Sequence, residues 1–127
     1  MPPERRRILL VEDDALFASI EQQALEAHGF SVDHAADGEA GWSEAEQELP
    51  DAIVLDIGLP KLDGFALLER LKGDQKTAHV PVIMFSRLGT KEDVARCMGL
   101  GASAYLMKTH HGPEDLCQCL RSMFGSR

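Results

Sequence analysis

The acidic cluster Glu12-Asp13-Asp14, with Asp56, Ser86 and Lys108, could together bind a divalent cation and a phosphoryl group. Each follows or closes a short apolar run. Ile8-Leu9-Leu10-Val11 leads into Glu12-Asp13-Asp14, Ala52-Ile53-Val54-Leu55 into Asp56, Pro81-Val82-Ile83-Met84-Phe85 into Ser86, and Ala104-Tyr105-Leu106-Met107 into Lys108. Carboxylates that converge in one crevice repel one another, and their pKa values rise unless a cation neutralises them. Mg2+ suits such a set: it is a hard ion that takes oxygen ligands and keeps several waters and phosphate oxygens. A carboxylate beside it can attack phosphorus and form an aspartyl phosphate. The charge on the transferred group then needs fixed donors, which the Lys108 ammonium and the Ser86 hydroxyl can supply. Any one acid at a strand end is ordinary, because strands end at the surface. Acids, a hydroxyl and a lysine at four strand ends form a site.

These groups meet only if the runs are neighbouring strands that finish at one edge of a sheet. Short apolar runs bounded by polar residues read as buried strands, here about Arg7–Val11, Ala52–Asp56, Pro81–Phe85 and Ser103–Met107, with a more polar edge strand at Ser31–Ala35. Amphipathic stretches lie between them. Leu16, Ile20, Ala24 and Ala27 form a stripe on a helix over about Ala15–His28, with Gly29 placed to end it in a left-handed conformation. Trp42, Ala45 and Leu49 share a face of a second helix that Pro50 stops, and Phe65, Leu68 and Leu71 align on a third. Thr90 with Asp93 reads as a capping box before a fourth helix, which carries Val94 and Met98 on one face and closes at Gly99 or Gly101. Pro113 opens a fifth, striped by Leu116, Cys119, Leu120 and Met123. Five strand–helix units in sequence predict an α/β fold: a parallel sheet with helices on both faces and the ligand crevice at the carboxyl ends of the strands.

The 127 residues suit one domain with a core over about 7–124. With 13 basic and 21 acidic side chains the net charge is −8, which argues against nucleic acid or an anionic membrane as partner. Arg5-Arg6-Arg7 reads as a solvated lead-in to the first strand. No apolar run approaches the roughly 18 residues of a membrane span or the ~7–15 of a signal-peptide core, which places the protein in the cytoplasm. Cys97, Cys117 and Cys119 lack any familiar zinc spacing and read as reduced structural thiols.

The segments Ile8–Asp14, Asp51–Pro60, Leu62–Phe65, Pro81–Ser86 and Gly101–Lys108 resemble, in order, those of the receiver domain of bacterial two-component response regulators, and the resemblance spans almost all of the chain. It implies the doubly wound, flavodoxin-like fold of the chemotaxis receivers, with strand order 2-1-3-4-5. It also implies roles. Asp56 would accept phosphate from a histidine kinase or phosphotransfer protein. Glu12, Asp13 and Asp56, with the backbone carbonyl of Gly58, would hold Mg2+. Ser86 and Lys108 would contact the phosphoryl group. Tyr105 would turn inward as Ser86 moves, changing the surface that the fourth helix, fifth strand and fifth helix offer to a downstream protein. No catalysis beyond self-phosphorylation and self-dephosphorylation is implied.

The sequence departs from the family pattern at four places. Arg87 and Leu88 follow Ser86, where small and polar residues are usual. Gly58 lacks the side chain that commonly reaches over the site, and Thr109 stands where proline usually follows the lysine. Leu88 offers no hydrogen bond to a hydrolytic water, while Arg87 is long enough to pair with a phosphate oxygen. Both are therefore expected to modulate the lifetime of the phosphorylated state. Three alternatives accompany the switch: a receiver belonging to a larger regulator or hybrid kinase, a pseudo-receiver that binds without phosphorylation, and an aspartate-nucleophile phosphatase. The last normally carries an Asp-x-Asp pair, whereas Ile57 and Gly58 follow Asp56.

Overall fold

A computed structural model describes residues 5–87 and 89–125. Five strands and five helices alternate: β1 (Arg7–Val11), α1 (Ala15–Ala27), β2 (Ser31–Ala35), α2 (Gly38–Gln47), β3 (Ala52–Leu55), α3 (Gly64–Gly73), β4 (Val82–Ser86), α4 (Lys91–Gly99), β5 (Ala104–Met107) and α5 (Pro113–Phe124). The strands pair in parallel in the order β2-β1-β3-β4-β5, as expected. Because side chains alternate across a strand, β1 sends Ile8 and Leu10 to one face and Leu9 and Val11 to the other. The first face packs Val54, Ile83 and Phe85 against Leu25 of α1 and Leu116 and Leu120 of α5. The second packs Ile53, Leu55 and Met84 against Ala45 of α2, Leu67, Leu68 and Leu71 of α3, and Cys97 of α4. β3 and β4 are buried throughout, which is why they read as unbroken apolar runs.

Local chemistry sets the helix ends. Asp14, Asp37 and Asp63 each accept a backbone N–H in the first turn of α1, α2 and α3, and Thr90 with Asp93 makes the expected capping box on α4. Gly29 and Gly101 take φ of +90° and +107°, the left-handed conformation that closes α1 and α4. Of the arginine run, Arg7 is no mere lead-in: its guanidinium pairs with Asp33 at 2.7 Å and Glu48 at 2.9 Å.

Three helix faces differ from the apolar stripes. On α1, Leu16 and Ile20 are 69% and 44% exposed, and the buried residues are Ala18, Glu21 and Leu25. The helix is rotated so that the acidic Glu21 points inward, where an ammonium group meets it. On α2, Leu49 lies beyond the helix and is exposed, and contact is made through Gly38, Gly41 and Ala45. On α4, Cys97 is fully buried and Met98 is 44% exposed.

Candidate functional site

Backbone hydrogen bonds carry the sheet ladder one residue past three strand ends and so fix the residues placed there. The Glu12 N–H donates to Ala35 O at 3.0 Å, Asp56 N–H to Val11 O at 3.3 Å, and Lys108 N–H to Ser86 O at 2.8 Å. Side chains from β1, β3, β4 and β5 therefore converge at one end of the sheet. Ser86 Oγ donates to Asp56 Oδ1 at 2.6 Å, and the Gly58 N–H reaches the same oxygen at 3.3 Å. Lys108 Nζ donates to Asp56 Oδ2 at 3.2 Å and also pairs with Glu12 Oε1. Glu12 Oε2 accepts the Asp14 N–H at 3.0 Å, and the imidazole of His34 donates to the Glu12 carbonyl at 2.7 Å. Asp13 stands exposed at the rim.

The electrostatics follow from burial. Glu12 is 2% exposed, and desolvation raises its carboxyl above the ordinary value despite the Lys108 ammonium and the Asp14 N–H. Burial also disfavours the Lys108 cation, but Glu12, Glu21 and Asp56 together outweigh that and hold its pKa above the usual lysine value. The Tyr105 hydroxyl is pushed up to about 12, mainly by burial, although its hydrogen bond with Ser86 pulls the other way. Ser86 thus links the phenol of Tyr105 to the carboxylate of Asp56.

The residues present suit Mg2+. Carboxylate oxygens of Glu12, Asp13 and Asp56 lie within 4.8 Å of one another, a set of hard donors with one exposed member through which an ion and its waters could enter. A second group, His28, Glu114 and Cys117, is equally close but has a different character. The His28 imidazole already pairs with Glu114 at 3.1 Å, and burial among apolar side chains pushes the Cys117 thiol up to about 11, away from the thiolate a metal needs.

Of the residues singled out in the sequence, Glu12, Asp13, Asp56, Ser86 and Lys108 come together, with Gly58 and Tyr105 touching the cluster. Among the described residues Arg87 makes no ion pair with Asp56. Its guanidinium stands 5.1 Å from the centre of the Phe17 ring, which also faces Lys108 Nζ at 4.7 Å. Leu88 lies outside the described residues. Among the described residues no peptide bond is cis, so the chain leaves Lys108 through a trans bond into a turn where His110 and His111 N–H both reach Met107 O at 2.9 Å. Three members of the site were not read from sequence: Phe17, Glu21 and His34. Glu21 had a signal, the spacing of three and four in Ala18-Glu21-Leu25.

Residues 8–121 match the response regulator receiver domain, and the chain belongs to that family. It is 40% identical over 117 residues to a gliding motility regulatory protein of Myxococcus xanthus, covering 92% of this chain and 15% of that protein. It is 41% identical over 112 residues to a DNA-binding dual master transcriptional regulator, RpaA, of Synechocystis, covering 88% of this chain and 46% of that one. It therefore spans less than half of either relative. Among solved structures, a putative response regulator from Chloroflexus aurantiacus superposes with a TM-score of 0.87 at 28% identity, covering 94% of this chain and 97% of that one. The receiver domain of a sensor histidine kinase from Pseudomonas aeruginosa, with magnesium coordinated in its active-site cleft, gives 0.87 at 29% identity, covering 97% of this chain and 100% of that one. Receiver domains are signalling switches of two-component systems that bind Mg2+ in an acidic pocket and are phosphorylated by histidine kinases or phosphotransfer proteins.

Proposed function

We propose that Asp56 is the phosphoacceptor of this receiver and that Glu12, Asp13, Asp56 and the Gly58 carbonyl hold its Mg2+. The observation that carries this is the pairing of Asp56: one oxygen faces the Ser86 hydroxyl, the other the Lys108 ammonium, beside two further carboxylates. An Asp56 oxygen attacks the phosphorus of a partner's phosphohistidine, the P–N bond breaks, and the imidazole leaves with the electron pair. Bound Mg2+ supplies positive charge that lets two anions approach. Ser86 and Lys108 exchange the carboxylate for phosphoryl oxygens, and both charge-assisted contacts stabilise the charge that builds there. The hydrogen bond between Ser86 and Tyr105 passes this displacement to β5, so the α4–β5–α5 face changes for a downstream protein. The net charge of −8 supports a protein partner over nucleic acid. No described helix is long and apolar enough to cross a membrane, and we place the switch in the cytoplasm. The reading covers one receiver domain with a core of about 7–124, whether it acts alone or within a longer regulator like its relatives. Mg2+ with acetyl phosphate should add one phosphoryl group to the wild type, read by intact mass, and none to Asp56→Asn. An unmodified wild type that binds Mg2+ would favour the pseudo-receiver.

Arg87 belongs to the same reading as a modulator. From the face of Phe17 its guanidinium can swing to a phosphoryl oxygen and hold the product. Gly58 acts in the opposite sense by leaving the phosphorus open to water. A direct contact with the charged product outweighs open space, so Arg87→Ala should dephosphorylate several-fold faster than wild type at matched Mg2+. Equal rates would remove Arg87 from the site.

A further inference from the structure

Glu21 is the buried charge that phosphotransfer leaves unused. It lies in the middle of α1, is 2% exposed, and its Oε2 has no hydrogen-bond partner among the described residues. A lone carboxylate in such a place is unfavourable unless a cation faces it, and an apolar side chain would fill the position without that penalty. The cation is Lys108, whose Nζ stands 3.5 Å from Glu21 Oε2. The ammonium is thus shared between two sides. Glu12 and Asp56 hold it toward the crevice, and Glu21 draws it back beneath the Phe17 and Phe85 rings, beside a cavity of about 110 Å3 that Ile20 and Pro113 also line. A phosphoryl group on Asp56 can use Lys108 fully only if the ammonium moves away from Glu21.

Resting on the assignment of Asp56 above, we propose that Glu21 is a positioning residue that restrains Lys108 and thereby weakens its hold on the phosphoryl group. It biases the switch toward the resting state. Neutralising Glu21 frees the lysine for the anion. The test is binding of beryllofluoride, a tetrahedral stand-in for the phosphoryl group, to the whole chain at saturating Mg2+, followed by 19F NMR. Glu21→Gln keeps the shape and removes the charge, while Glu21→Leu removes the charge and packs the cavity. Both should bind beryllofluoride about tenfold tighter than wild type, with Mg2+ affinity in its absence unchanged or lower. A packing defect weakens both ligands and cannot produce a selective gain, so tightening separates positioning from mere support. If one variant fails to fold, the other gives the same readout. Wild-type affinity or weaker in the folded variants overturns the role of Glu21. A wild type that binds Mg2+ but no beryllofluoride overturns the phosphoacceptor assignment instead.

Discussion

Lys108→Met is expected to destabilise the Mg2+-free protein by about 3–5 kcal/mol, because among the described residues it removes the one cation paired with Glu12, Glu21 and Asp56 and leaves these carboxylates without a countercharge. Methionine keeps most of the volume, so the loss is electrostatic. It should also depend on pH in a defined sense. Burial raises the Glu12 carboxyl above 4.5 and that of Glu21 from 4.5 to about 7, so the folded state holds protons that the unfolded chain releases. Their contribution is fully present below the unfolded value and is lost as pH rises through the folded one. Without the ammonium both values rise further, and the deficit of Lys108→Met should be larger at pH 8 than at pH 5. Mg2+ should recover much of it by neutralising Glu12 and Asp56, though not Glu21. In the wild type, Mg2+ at 100 times its dissociation constant adds roughly 2.7 kcal/mol, a response that Asp13→Ala should lose. Chemical denaturation at both pH values, with and without Mg2+, checks every part. A variant as stable as wild type at pH 8 without metal would mean that the lysine carries no such load.

The topology and most of the side chains that converge at the candidate site were legible because both depend on residue types that have few other uses. Unbroken runs such as Ile53–Leu55 and Val82–Phe85 serve a strand buried on two faces, and a carboxylate or lysine directly after such a run sits at the crevice by the geometry of a parallel sheet. Glu21 escaped because periodicity reasoning treats an acid as a surface residue. The stripe through Leu16 and Ile20 held more apolar residues than the stripe through Ala18, Glu21 and Leu25, yet burial followed the second once Lys108 stood opposite. The face of α2 was obscure for a different reason. A Cβ at Gly41 would lie 3.0 Å from Val11 Cγ2 and 3.2 Å from Leu67 Cδ2, so the helix packs through an absent side chain, which no hydrophobic pattern records. Cys97 was passed over in favour of Met98 because a cysteine reads first as chemistry and only second as a small apolar core residue. The contact between Phe17 of α1 and Arg87, the residue after β4, joins two segments far apart in the chain, and nothing local in either announces it.

Gly64→Ala should cost about 3 kcal/mol or more and slow phosphorylation as well, a large effect for one methyl group. Gly64 begins α3, and its N–H donates to Ile57 O at 2.7 Å, which clamps the helix onto the loop that follows Asp56. A Cβ at this position would stand 2.2 Å from Asp56 O and 2.5 Å from Ile57 Cα. Both are backbone atoms, so no rotamer change relieves the overlap, and either α3 or the Asp56 loop must move. Helix propensity opposes this, since alanine is worth about 1 kcal/mol more than glycine inside a helix, and less at its first residue. The steric term wins because the overlap is far inside van der Waals contact. Gly73, at the other end of α3, is the control: its Cβ would meet nothing within 4 Å, so Gly73→Ala should match or slightly exceed wild-type stability. The loop shift in Gly64→Ala should also move the Asp56 carboxylate off Ser86 Oγ and Lys108 Nζ, lowering the rate with acetyl phosphate at least tenfold, whereas Gly73→Ala should react like wild type. Urea denaturation and single-turnover phosphorylation of the two variants side by side decide the matter. A Gly64→Ala protein within 1 kcal/mol of wild type and equally reactive would show that α3 can retreat from the loop without disturbing Asp56.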